Sequence, residues 1–123
     1  MFFPYRYDRR LAPLWRPFLV RTRRDGVRIT DDGAVVATFG PLRVATDLSN
    51  VDGAHVTGPY RWWTAAGARL SLADDGLTFG TNAERGVCIH FAERVRGFGP
   101  RRHSALTVTV DDVDGLVAAL ERR

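Results

Sequence analysis

At 123 residues the chain is long enough for one domain with a real hydrophobic core and too short for two ordinary ones. Its apolar (45%) and charged (26%) fractions exclude a disordered or fibrous chain, and no apolar run nears membrane length, so no transmembrane segment is expected. The net charge of +4 is unevenly held: residues 1–24 carry seven Arg against Asp8 alone, and residues 25–123 carry eleven Arg against thirteen acids, so the basicity belongs to a leader and nucleic acid is not an expected partner.

All 18 basic residues are Arg, a bias that fits high-GC bacterial coding more than any chemistry. The single cysteine, Cys88, excludes an intramolecular disulfide and fits a reducing cytoplasm. The N-terminus has no signal-peptide apolar region, because Pro4, Arg6, Arg9 and Arg10 interrupt it. A cytoplasmic protein is expected.

In chain order, residues 1–17 read as an Arg/aromatic arm, punctuated by Pro4, Pro13 and Pro17, with one or two helical turns over Asp8–Trp15. Phe2, Phe3, Leu11, Leu14 and Trp15 are too many large apolar residues for a free tail, so the arm is expected to pack on the body. The body, 18–123, is expected to be a single domain. Phe18–Thr22 is a candidate first strand. Val27–Thr30, Ala34–Phe39, Leu42–Leu48 and Ala54–Thr57 alternate apolar and polar residues, as half-buried strands do. Asp25-Gly26, Asp31-Asp32-Gly33 and Gly40-Pro41 supply the turns.

Gly58 to Phe91 holds the densest aromatic cluster, Tyr60, Trp62 and Trp63. Strands at Ala68–Ala73, Leu77–Gly80 and Val87–Phe91 follow it. Ala92–Ser104 reads as a long Gly- and Arg-rich loop, and Leu106–Val110 as the last strand. The period then changes: Val113, Leu116, Val117 and Leu120 mark one face of a helix over about 112–122, with Asp111 or Asp112 as N-cap. Gly115 is tolerable there if the helix backbone lies close against a sheet. The sum is a mainly β fold: a seven- to eight-stranded antiparallel meander, rolled into a partly open β-barrel and capped by the C-terminal helix.

Phe39-Gly40, Asp47-Leu48-Ser49-Asn50-Val51 and Val110-Asp111-Asp112 resemble the pattern of bacterial PH-like (pleckstrin-homology-like) domains. Gly58–Phe91 also resembles a group of small actinobacterial proteins of unknown function. The resemblance implies the same barrel-plus-helix fold and a role in binding lipid or peptide, or in structure alone. The lipid ligand it implies is a phosphoinositide held by basic residues at the first hairpin. Asp31 and Asp32 have the wrong sign for that, unless Arg21, Arg23 and Arg24 replace the basic cluster.

No catalytic motif stands out, and no cofactor is expected. Structural zinc commonly uses four ligands in close-spaced pairs. Cys88 and His90 make one such pair, with His55 and His103 remote in sequence, so no metal site is expected. A Cys–His nucleophile lacks an orienting group and an oxyanion hole in the same way. The candidate binding residues are Tyr60, Arg61, Trp62 and Trp63, the residue types of interface hot spots, joined by Arg101, Arg102 and His103 if their loop folds toward them. The expected role is a non-catalytic interaction or ligand-binding module, with a protein partner or self-association through Tyr60–Trp63. The alternatives are a peripheral binder of anionic lipid headgroups through the Arg-rich leader, and a small-molecule carrier or enzyme.

Overall fold

Val35, Ala37 and Phe39 are buried and alternate with half-buried neighbours, and this period of two recurs through most of the chain. The computed structural model describes residues 1–21, 23–58, 67–70, 76–82, 84–97 and 102–121. Its elements are β1 (Phe2–Pro4), α1 (Ala12–Trp15), β2 (Gly26–Ile29), β3 (Ala34–Phe39), β4 (Leu42–Asp47), β5 (Val51–Thr57), β6 (Gly67–Leu70), β7 (Gly76–Gly80), β8 (Gly86–Arg96), β9 (Arg102–Val108) and α2 (Val113–Glu121). The protein is mainly β with a C-terminal helix. Four strands form one sheet in the order β1-β2-β3-β4, and five form a second in the order β5-β8-β9-β7-β6. The sheets do not close into a barrel; they make a partly open sandwich. Phe39 of β3 stacks on Phe79 of β7, ring centroids 5.2 Å apart, and this contact lies at the heart of the core.

Several expectations are corrected. Phe18–Thr22 is not the first strand. Phe18 closes a 3-10 turn, and Leu19 follows in the left-handed region at φ 59°, 73% exposed, which extended backbone cannot accommodate. The edge strand of the first sheet is instead β1, inside the leader and antiparallel to β2.

The Ala92–Ser104 loop is shorter than expected, because β8 runs on to Arg96 and β9 begins at Arg102. The burial alternation in β8 lapses only at Glu93, which is exposed where the period of two would bury it, and Val95 resumes the phase of Val87, Ile89 and Phe91; the pairing with β9 shifts register between His90 and Val95 over the same stretch. Asn50 serves as backbone for Glu93 there: its side-chain amide accepts the Glu93 N–H at 2.8 Å and donates to the Glu93 carbonyl at 2.9 Å.

The second sheet is not an antiparallel meander. β7 lies parallel to β9, with Leu77 opposite Leu106 and Phe79 opposite Val108. Strands adjacent in sequence are therefore not all adjacent in the sheet.

Helix α2 packs against β5 and β8 through Val113, Leu116, Ala119 and Leu120. Gly115 is explained by the cap and not by the sheet. The Asp112 carboxylate accepts the Gly115 N–H at 3.0 Å and fills the space a Cβ would need.

Candidate functional site

The Arg-rich leader is stitched to the ends of both sheets. Beyond β1, Tyr5 bridges Val110, the Arg6 N–H donates to the Thr109 carbonyl, and the Asp8 N–H donates to the Thr81 carbonyl. The Thr81 hydroxyl and the Asn82 amide both donate to the Arg6 carbonyl, at 2.6 and 2.8 Å. The Thr109 hydroxyl accepts the Thr81 N–H at 2.9 Å and lies 3.0 Å from the Thr81 hydroxyl. The aromatic residues finish the seam. Tyr5 donates to the Thr38 carbonyl at 2.7 Å, and the Trp15 indole donates to the Asp8 carbonyl at 3.1 Å. Burial, reinforced by Tyr7 and the Asp25 carboxylate, raises the Tyr5 phenol well above its ordinary range. Tyr5 and Trp15 belong to the hydrophobic core, and Tyr7 packs against it.

Asp25 ties the leader to the β3–β4 turn. It is fully buried, accepts the N–H groups of Arg21 and Gly40 at 2.7 Å each, and pairs with the Arg21 guanidinium at 3.1 Å. Burial opposes its ionisation. The hydrogen bonds from the Arg21 and Gly40 N–H groups, and from the Thr38 and Arg21 side chains, outweigh it and hold the carboxyl below its usual range. Gly40 is required at this turn: its φ is +60°, and a Cβ would strike the Phe18 carbonyl.

The leader's charges also find partners within the chain. Arg10 pairs with Asp8 at 3.2 Å, and Arg6 with Glu84 at 3.3 Å. The hydrogen bond from Arg10 lowers the Asp8 carboxyl. A hollow of about 200 Å³ lined by Arg6, Asp8, Arg9, Arg10 and Glu84 therefore mixes both signs. At the first described hairpin, the Thr30 hydroxyl donates to Asp32. The adjoining hollow, about 480 Å³, is lined by Asp32, Asp47, Leu48 and Ser49, an acidic setting that repels phosphate.

Of the residues singled out in the sequence, Tyr60, Arg61, Trp62, Trp63 and Arg101 lie outside the described residues. Arg102 is exposed at the start of β9, opposite Arg96. His103 is 2% exposed, in the interior near Gly97, and the space a Cβ would occupy at Gly97 is bounded by His103, Val44 and Leu77. The structure thus separates Arg102 from His103, one outward and one inward.

It brings together a different set. His55 on β5 is directly opposite Cys88 on β8, and His90 stands two residues along β8 on the same side. Val87, Ile89 and Phe91 alternate with them and are buried, so the trio occupies the outer face of the five-stranded sheet. The imidazoles of His55 and His90 stack, 5.1 Å between centroids and 16° from parallel. Cys88 Sγ lies 3.6 Å from His90 Nε2, and the three donor atoms all lie within 4.8 Å of one another. His55 and His90 are exposed and Cys88 is half-buried. Thr107 of β9 is the register neighbour of Cys88 on its other side. Sequence spacing revealed the Cys88–His90 pair but not His55, which lies 33 residues before Cys88 and arrives only through the β5–β8 register.

No known protein family, curated protein or solved structure matches the chain.

Proposed function

We propose that this chain is a non-catalytic ligand-binding module of PH-like type, acting in the cytoplasm, whose binding surface is the outer face of the five-stranded sheet. One observation carries the proposal: His55, Cys88 and His90 converge on that face and take no part in the hydrophobic core. Three lone-pair donors held together by a paired strand, clear of the packing, are placed for recognition. Two sheets followed by a terminal helix support the PH-like part of the reading.

Chemistry on a substrate fits this face less well than binding. A thiolate nucleophile needs hydrogen-bond donors aimed at a developing oxyanion. Strand β8 is paired on both sides, with β5 and with β9, so the amides beside Cys88 are engaged in the ladders.

Amide chemical-shift mapping of the labelled chain tests the proposal, with zinc chloride, inositol hexakisphosphate and a small-molecule fragment set as probes. At least one probe is expected to shift the amides around His55, Cys88, His90 and Thr107. Shifts confined to Arg6–Arg10 with inositol hexakisphosphate would transfer the function to an anionic-lipid contact. Shifts confined to Tyr60–Trp63, or none on the sheet face, would also overturn the proposal.

A further inference from the structure

We infer that His55, Cys88 and His90 form a surface site for one transition-metal ion of the zinc class, with three protein ligands and a fourth position open to solvent. The inference rests on the binding face proposed above and names its ligand.

The donor set selects the class. Two imidazoles and a thiolate suit borderline and soft ions, whereas calcium and magnesium demand oxygen. The distances fit as well. A tetrahedral ion about 2.0–2.1 Å from an imidazole nitrogen and about 2.3 Å from a thiolate holds those two ligand atoms about 3.6 Å apart. Cys88 Sγ and His90 Nε2 already stand 3.6 Å apart. The third donor, on His55, comes from a residue directly opposite Cys88, so all three atoms lie within 4.8 Å of one another before any ion draws them closer.

Placement sets the character of the site. Two ligands sit on β8, which is paired on both sides, and the third on β5, which β8 holds in register. The ligand backbones are therefore ordered in advance, and only rotation of the side chains remains for binding. Three ligands on an exposed face leave a coordination position for water or an incoming donor, unlike a closed four-ligand structural site. Because the trio stands apart from the core, the ion is a ligand of the folded chain and not a condition of folding.

The separation of 3.6 Å also suits a thiol–imidazole hydrogen bond, so the decisive measurement reports the bond to sulfur itself. Tag-free protein is titrated with cobalt(II), followed by competition with zinc. One equivalent of cobalt is expected to bind with the strong visible bands of a four-coordinate site and a near-ultraviolet thiolate-to-cobalt charge-transfer band, both abolished by zinc. Cys88→Ser is expected to remove the charge-transfer band. His55→Ala and His90→Ala should each weaken zinc binding by more than the roughly 10–100-fold that loss of an outer-shell partner brings, with melting midpoints close to that of the parent. Weak visible bands of a six-coordinate ion, no charge-transfer band, or zinc affinity unchanged by Cys88→Ser would overturn the site. The wild-type spectrum decides even if a variant fails to fold. Should no metal bind while fragments still shift the amides of this face, the metal inference falls and the binding face stands. Should neither occur, both fall.

Discussion

Two polar clusters in this molecule meet opposite fates. At the leader seam, Asp25, Thr81, Asn82 and Thr109 are buried, with their hydrogen bonds directed to backbone and side chains of distant segments. No buried side-chain nitrogen or oxygen among the described residues lacks a partner. On the outer face of the second sheet, His55, Cys88 and His90 meet with little burial and no share of the core. The first cluster is polar chemistry consumed by folding, since an unsatisfied buried group there would be expensive. The second is held up by a fold that does not depend on it. The Arg- and aromatic-rich leader carries the residue types of a binding arm, yet Phe3, Tyr5 and Trp15 are core.

Substitutions at the two clusters should separate the roles sharply. The largest effect is expected from Trp15→Ala, which removes an indole only 4% exposed together with its bond to the Asp8 carbonyl; chemical denaturation should show a loss of about 3–5 kcal/mol. A change below about 1 kcal/mol would return the leader to the status of a removable arm. Asp25→Ala comes next, at about 2–4 kcal/mol, because it leaves the Arg21 and Gly40 N–H groups without their acceptor and empties a fully buried site. The same carboxyl should shape the acid limb of stability. Its folded pKa is depressed, so its contribution is complete above the unfolded value of about 3.9 and disappears as pH falls through the lowered folded value. Denaturation midpoints of parent and Asp25→Asn should therefore converge on acidification below about pH 4; a constant gap would mean that the carboxylate is not what Asp25 contributes.

Thr109→Val should be milder, about 1–3 kcal/mol, since it deletes the hydroxyl that serves the Thr81 N–H and the Phe79 carbonyl but keeps the shape. Thermal melting of this variant beside Thr81→Val would also show whether the two hydroxyls act as one unit. The smallest effect belongs to the outer face: Cys88→Ser, His55→Ala and His90→Ala should each leave metal-free stability within about 0.5 kcal/mol of the parent. A large loss in any of them would place the trio among the fold's own supports and erase the contrast.

Much of the fold was legible in the residues. Ala34–Phe39 and the α2 face carry strong periods, and their elements lie where the alternation and the 3.6-residue repeat put them. The parallel β7–β9 pair was not legible, because local alternation fixes which face a residue takes and says nothing of which strand lies beside it. The extension of β8 was hidden for a related reason: Glu93 stands where the alternation calls for an apolar residue, so Ala92-Glu93-Arg94 interrupts the period that announces a strand. Leu19 was misread because its apolar neighbours imply extension while its backbone is left-handed. At the candidate site, Cys88 and His90 were visible as an i, i+2 pair, whereas His55 required knowledge of the β5–β8 register. His103 looked like a loop residue and is interior, because β9 begins one residue before it.

The seam between the leader and the segment joining β9 to α2 has a consequence for synthesis. Arg6 and Tyr5 dock on Thr109 and Val110, and the Asp111 N–H donates to the Pro4 carbonyl. The leader therefore cannot complete its contacts until residues about a hundred positions later have left the ribosome, an interval of roughly 5–20 s at ordinary elongation rates. Throughout that interval Phe3, Tyr5, Leu11 and Trp15 are without their final setting. Together with the neighbouring arginines they form an aromatic, cationic stretch of the nascent chain, the kind of surface that chaperones hold and that neighbouring nascent chains aggregate through.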